Sequence, residues 1–215
     1  MSSPREHVVL VHGLWMHGLV MRWLASRLER AGFATHTFSY RTTRDSIADN
    51  AARLADFIES LDAPTVHLVA HSLGGIVSLT MLQERPGIID GRVVLLGSPV
   101  RGSRVAALME KRGLGRLLGH SRHKGLVVPP EFAAGTQWQH DIGCIAGTRS
   151  IGPGSFLRDM PRPNDGTVAL DETHLPGARD ELQVPASHTL MLFSGTVATA
   201  TAAFLDSGSF ATASA

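Results

Sequence analysis

Short apolar runs alternate along this chain with longer stretches whose apolar positions recur every three or four residues. Val8-Val9-Leu10-Val11 is a continuous apolar run cut off by His12-Gly13, the pattern of a strand buried on both faces. Val20, Leu24, Leu28 and Ala31 then repeat at helical spacing, with Gly32 as the stop. Residues 33–40 read as a strand. Asp45 or Ser46 can cap a helix whose apolar face is Ile47, Ala51, Leu54, Phe57, Ile58 and Leu61, closed by Pro64. Thr65-Val66-His67-Leu68-Val69 predicts a further strand and residues 76–82 a helix. Arg92-Val93-Val94-Leu95-Leu96 predicts the next strand, residues 141–146 another, and residues 181–184 a weaker one. A single last helix is expected over about 189–205. This alternation predicts a mostly parallel sheet with helices on both faces.

Between the Val66 strand and the helix that follows lies Ala70-His71-Ser72-Leu73-Gly74-Gly75. A serine between small residues at a strand-to-helix turn has the shape of a nucleophile elbow, where the hydroxyl is held exposed at the tip of a strained turn. The usual pattern has glycine two positions before the serine, and Ala70 is a mild departure. A serine before a helix also fits a plain N-cap, so the motif needs partners elsewhere.

A serine hydroxyl needs a base to take its proton, a carboxylate to orient that base, and donors for the oxyanion. In a doubly wound sheet these groups sit on loops at the C-terminal ends of strands, in the order serine, acid, histidine. His188, in Pro185-Ala186-Ser187-His188 just before the last helix, is the best-placed base, with His174 as runner-up. His71 is expected to point away from the site. His67, His36 and His7 read as structural, and His120, His123 and His140 have no assigned role. Asp165, in Asn164-Asp165-Gly166-Thr167-Val168, is the favoured acid, although Asp-Gly is also an ordinary turn signal. Asp171 and Asp159 compete with it. The backbone N–H groups of Leu73 and Leu14 are the expected oxyanion donors, with Gly13 letting the chain turn close to the serine. Gly13, Trp15 and Met16 are expected to bind substrate, and Leu14, Trp15 and Met16 could equally be simple packing.

Together, Leu10-Val11-His12-Gly13, the Ala70–Gly75 hexapeptide, Asn164-Asp165-Gly166-Thr167-Val168 and Ser187-His188 resemble the α/β-hydrolase superfamily, and within it small bacterial lipases and esterases. Gly97-Ser98-Pro99-Val100-Arg101-Gly102-Ser103 is similar to the segment after the next strand in that group. The resemblance spans about residues 7–205. It implies an α/β-hydrolase fold of about six mostly parallel strands in one domain over residues 1–215. It also implies a serine ester hydrolase working through Ser72, Asp165 and His188 and an acyl-enzyme. An acyltransferase, a thioesterase or an amidase would use the same residues, and a non-catalytic binding protein of this fold is a more distant alternative.

Composition narrows the partners. The 215 residues carry a formal net charge of +1, which argues against a dedicated nucleic-acid binder. The single cysteine, Cys144, forms no internal disulfide, and no Cys/His cluster has zinc-finger spacing, so neither metal nor cofactor is expected. No signal-peptide core or membrane-length run is legible, and a cytoplasmic location is the expectation. The expected partner is a small-molecule or lipid ester; oligomeric state is not indicated. Residues 101–133 break the rhythm: seven Lys or Arg fall between Arg101 and Lys124 against the single acid Glu110. This segment reads as a cap-like insertion above the sheet, outside the core. Its charge fits weak contact with an anionic membrane or interface, and fits a solvated face as well.

Overall fold

The computed structural model describes residues 5–122, 125–127, 137–152, 154 and 160–210. Six strands form one sheet in the order β2-β1-β3-β4-β5-β6, and every pairing is parallel. They are β1 (His7–Val11), β2 (Ala34–Phe38), β3 (Val66–His71), β4 (Val93–Leu96), β5 (Ile142–Gly147) and β6 (Asp180–Val184). The strands β3, β4 and β5 are buried throughout, as a sheet covered on both faces requires. The edge strand β6 alternates half-exposed and exposed positions, which is why its sequence signal is weak.

Alternate residues of each strand feed two separate apolar layers. Val9, Val11, Leu68 and Ala70 face the layer built with α2 (Ile47–Glu59) and α3 (Leu73–Glu84). Val8, Leu10 and Val69 face the layer built with α1 (Arg22–Arg30) and the last helix, α6 (Gly195–Ser207), which follows the short α5 (Leu170–Thr173). Helix α2 starts where Ser46 and Asp49 cap each other's backbone N–H groups. Helix α3 is apolar and buried on nearly all sides, so it carries no helical periodicity of its own.

Two expectations need correction. The final helix is not continuous from residue 189. A 3₁₀ turn over Leu190–Phe193 ends at Ser194, whose extended backbone and side chain, accepting from Val197 N, start α6 anew. Nor does the basic segment stand wholly outside the core. Its helix α4 (Arg104–Lys111) and the 3₁₀ turns of Gly115–Arg122 bury Ala106 and Leu118 in the α2/α3 layer, together with Leu126. The charged residues on its other face hid that apolar seam. Among the described residues, no helix is long and apolar enough to cross a membrane.

The chain runs from β1 outward to β2, then crosses back to place β3 on the other side of β1. The loops leaving β1 and β3 therefore diverge at their C-terminal ends. That switch point is where a doubly wound sheet opens a crevice.

Candidate active site

The turn after β3 has the backbone an exposed hydroxyl needs. Ser72 adopts φ 54 and ψ −122, a conformation a non-glycine residue holds at a cost of about 1–3 kcal/mol. Its side chain makes no capping hydrogen bond to α3, which removes the N-cap reading. Close packing explains the small residue at position 74: a Cβ there would lie 2.5 Å from the Val11 carbonyl oxygen.

Ser72 Oγ is 3.0 Å from His188 Nε2, and His188 Nδ1 is 2.6 Å from Asp165 Oδ2. Three separate loops thus meet in one hydrogen-bonded line. Asp165 is buried and fully engaged. Its Oδ1 accepts from the backbone N–H groups of Thr167 and Val168, leaving Oδ2 for the imidazole. The same residue forms a turn, its N–H donating to Val168 O at 3.0 Å. A backbone hydrogen bond from His188 N to Asp165 O, 2.9 Å, ties the two loops together. Gly97, after β4, has φ +55 and leaves room for the pair: a Cβ there would sit 3.0 Å from Asp165 Oδ2 and 3.2 Å from His188 Nδ1.

Two of the competitors, Asp171 and His174, are engaged elsewhere. Asp171 makes a bidentate ion pair with Arg104, and His174 pairs with Glu181. Asp159 lies outside the described residues. His67 is buried against Glu6 and the Arg92 amide, and His36 contacts His7.

The loop after β1 is built around His12. Its Nδ1–H donates to Gly13 O, its Nε2 accepts from Tyr40 N, and the Tyr40 hydroxyl donates to His12 O. Trp15 N donates to Thr42 Oγ1. Leu14 N has no acceptor among the described residues. Gly13, Leu14, Trp15, Met16, Ser72 and His188 all line one cavity of about 400 Å³. Leu73 does not: its side chain is in the core, and only its backbone N–H, the unpaired first donor of α3, is available to the site.

His71 was expected to point away, and it does not. It is fully buried, its Nε2–H donates to His188 O at 2.9 Å, and its ring lies 4.7 Å from that of His188. Burial holds its pKa well below the ordinary histidine value, with the neighbouring His188 acting in the same direction. Only a contact 117 residues away in sequence reveals this. Tyr40 and Thr42 were missed for the same reason. Among the described residues, no group of His, Cys, Asp and Glu could hold a metal ion.

A family model for alpha/beta hydrolases matches residues 8–208. The mature form of a Bacillus licheniformis lipase superposes with a TM-score of 0.74 at 20% identity, covering 89% of this chain and 88% of that one. A metagenomic carboxyl esterase gives 0.67 at 22% identity, covering 87% and 66%. The RedJ thioesterase of prodiginine biosynthesis in Streptomyces coelicolor gives 0.63 at 13% identity, covering 97% and 89%. At such identities the likeness is one of fold. No curated protein matches the chain. With its parallel six-stranded sheet and a family match that runs from the second residue of β1 to the end of α6, this chain belongs to the alpha/beta hydrolase family.

Proposed function

We propose that this protein is a serine carboxylic-ester hydrolase with Ser72 as nucleophile, His188 as general base and Asp165 as its orienting acid. The observation that carries the reading is the unbroken Ser72–His188–Asp165 hydrogen-bonded line opening onto an apolar cavity. His188 takes the Ser72 proton as Oγ attacks the ester carbonyl. Asp165 holds Nδ1 protonated and stabilises the imidazolium that forms. The N–H groups of Leu14 and Leu73 receive the oxyanion. The alcohol departs with the proton from His188, and water then releases the acid from the acyl-enzyme by the same sequence.

The same groups would cleave a thioester, and the structural likeness to RedJ makes thioesters a second class to assay. Weak contact with an anionic surface through 101–133 belongs to the proposal as well. Arg104 is already neutralised by Asp171 and Glu172, so the exposed Lys111, Arg112 and Arg116 would carry that contact.

A fluorophosphonate probe should modify Ser72, and Ser72→Ala should abolish labelling and lower turnover of a short-chain nitrophenyl ester by at least about a thousandfold. Unlabelled Ser72, or near-normal turnover in the variant, would refute the assignment.

A further inference from the structure

The cavity beside Ser72 is apolar almost throughout. Away from Ser72 and His188, its described walls include Leu14, Val105, Ala106, Met109, Leu118 and Leu126. Among the described residues, no charged side chain lines it. One end of it reaches the α2/α3 layer. A Cβ on Gly125 would touch Ile47 and Ile76, which puts the neighbouring Leu126 on the α2/α3 side of the sheet, beyond Ser72. Ala106, Leu118 and Leu126 belong to that same layer. The residues after His188 belong to the opposite one: Met191 and Leu192 join the α1/α6 layer, while Leu190 is exposed. Since the leaving alcohol must sit at His188 Nε2, the acyl group extends the other way, toward Ala106, Leu118 and Leu126.

The walls are tied to the site loops. Trp15 Nε1–H donates to Leu117 O, Ser121 Oγ–H to Thr42 O, and His120 N to Thr43 O. On the other flank the Arg104 N–H donates to buried Glu172 Oε1, and the Arg104 guanidinium clasps Asp171. A cavity framed on both sides by such contacts has a set depth. Its 400 Å³ holds roughly thirteen heavy atoms at about 30 Å³ each, enough for an ester group and an acyl chain of about eight carbons.

We propose that this site selects uncharged medium-chain acyl groups, seated between α4 and a floor that includes Leu118 and Leu126. This rests on the esterase reading above. The distinguishing test uses nitrophenyl esters of two, eight and sixteen carbons together with methyl and octyl fluorophosphonates. Each buried methylene is worth up to about fourfold in binding, so kcat/KM for octanoate should exceed that for acetate by at least about thirtyfold and fall again at palmitate. The octyl phosphonate should react with Ser72 correspondingly faster than the methyl one. Val105→Phe, which fills the cavity, should lower the octanoate-to-acetate ratio at least about tenfold. Met109→Ala, which enlarges it, should move the optimum to longer chains. Misfolding cannot produce both shifts.

If the esters are turned over but the profile is flat or peaks at acetate, or if neither variant moves it, the chain-length assignment is wrong and the esterase reading stands. If Ser72 reacts with neither phosphonate, the esterase reading fails. The cavity is then judged by titrating the uncharged methyl esters of octanoate and acetate into Ser72→Ala. Saturable binding of the octanoate ester that Val105→Phe weakens supports the acyl site, and its absence overturns it.

Discussion

His71 Nε2 lies 2.9 Å from the carbonyl oxygen of His188, so the residue before the proposed nucleophile holds the backbone of the proposed base. The bond requires the proton on Nε2. Among the described residues, the buried Nδ1 has no hydrogen-bond partner, which favours a neutral ring. A neutral imidazole beside His188 supports its position without opposing the positive charge that the proposed acyl transfer would place there.

His71→Ala is therefore expected to lower kcat about tenfold with little change in KM, since one hydrogen bond of about 1 kcal/mol and its ring packing are lost. His71→Asn, which can still donate to that carbonyl, should recover part of the loss. Steady-state kinetics on one nitrophenyl ester across pH would check this. A purely structural role would give equal turnover in both variants once folded protein is titrated.

Gly97→Ala should damage the site directly. The φ of +55 is unfavourable for alanine, and the new methyl would meet Asp165 Oδ2 and His188 Nδ1. The expected result is about 1–3 kcal/mol of lost stability and at least a roughly tenfold fall in kcat. Gly113→Ala is the control. Gly113 also has positive φ (73°), but a Cβ there meets nothing within 4 Å, so that variant should lose stability while keeping turnover. Equal kinetic losses in the two would show that strain, not crowding, is responsible.

Stability should decline in mild acid. Burial is the largest cause lowering the pKa values of His71, His12 and His67 below the ordinary histidine value of about 6.5. Below that pH the unfolded chain binds protons at these rings while the folded chain resists them. More protons are then bound unfolded than folded, so stability is complete above about pH 6.5 and is lost as pH falls toward the lowered values. Glu172, raised by burial, acts in the opposite sense. Melting temperature should drop by at least about 4 °C between pH 7.5 and 5.5. His71→Asn should show a smaller drop, and an equal one would remove His71 from the account.

The sheet was legible because parallel strands buried on both faces must be continuously apolar. Val8 to Val11, Val66 to Val69 and Val93 to Leu96 could be little else. Ser72 stood out because the elbow needs small neighbours, and Asp165 and His188 because a doubly wound sheet puts its chemistry after strands. Apolar content said less where packing is one-sided. Ala106, Leu118 and Leu126 were masked by the basic residues around them, and the break at Ser194 depends on a single side-chain cap.

The sequence by itself determined the alternation of strands and helices, the strained serine turn, and the order in which the proposed serine, acid and base arrive along the chain. All of these are local: they follow from periodicity, residue size and turn chemistry. Tertiary structure alone decided that Asp171 is spent on Arg104, that His71 reaches the carbonyl of His188, and that Trp15 and Thr42 tie the basic segment over an apolar cavity. Each of these depends on which distant side chain arrives within about 3 Å, a distance set by the packing of two layers against one sheet and written in no single stretch of the chain.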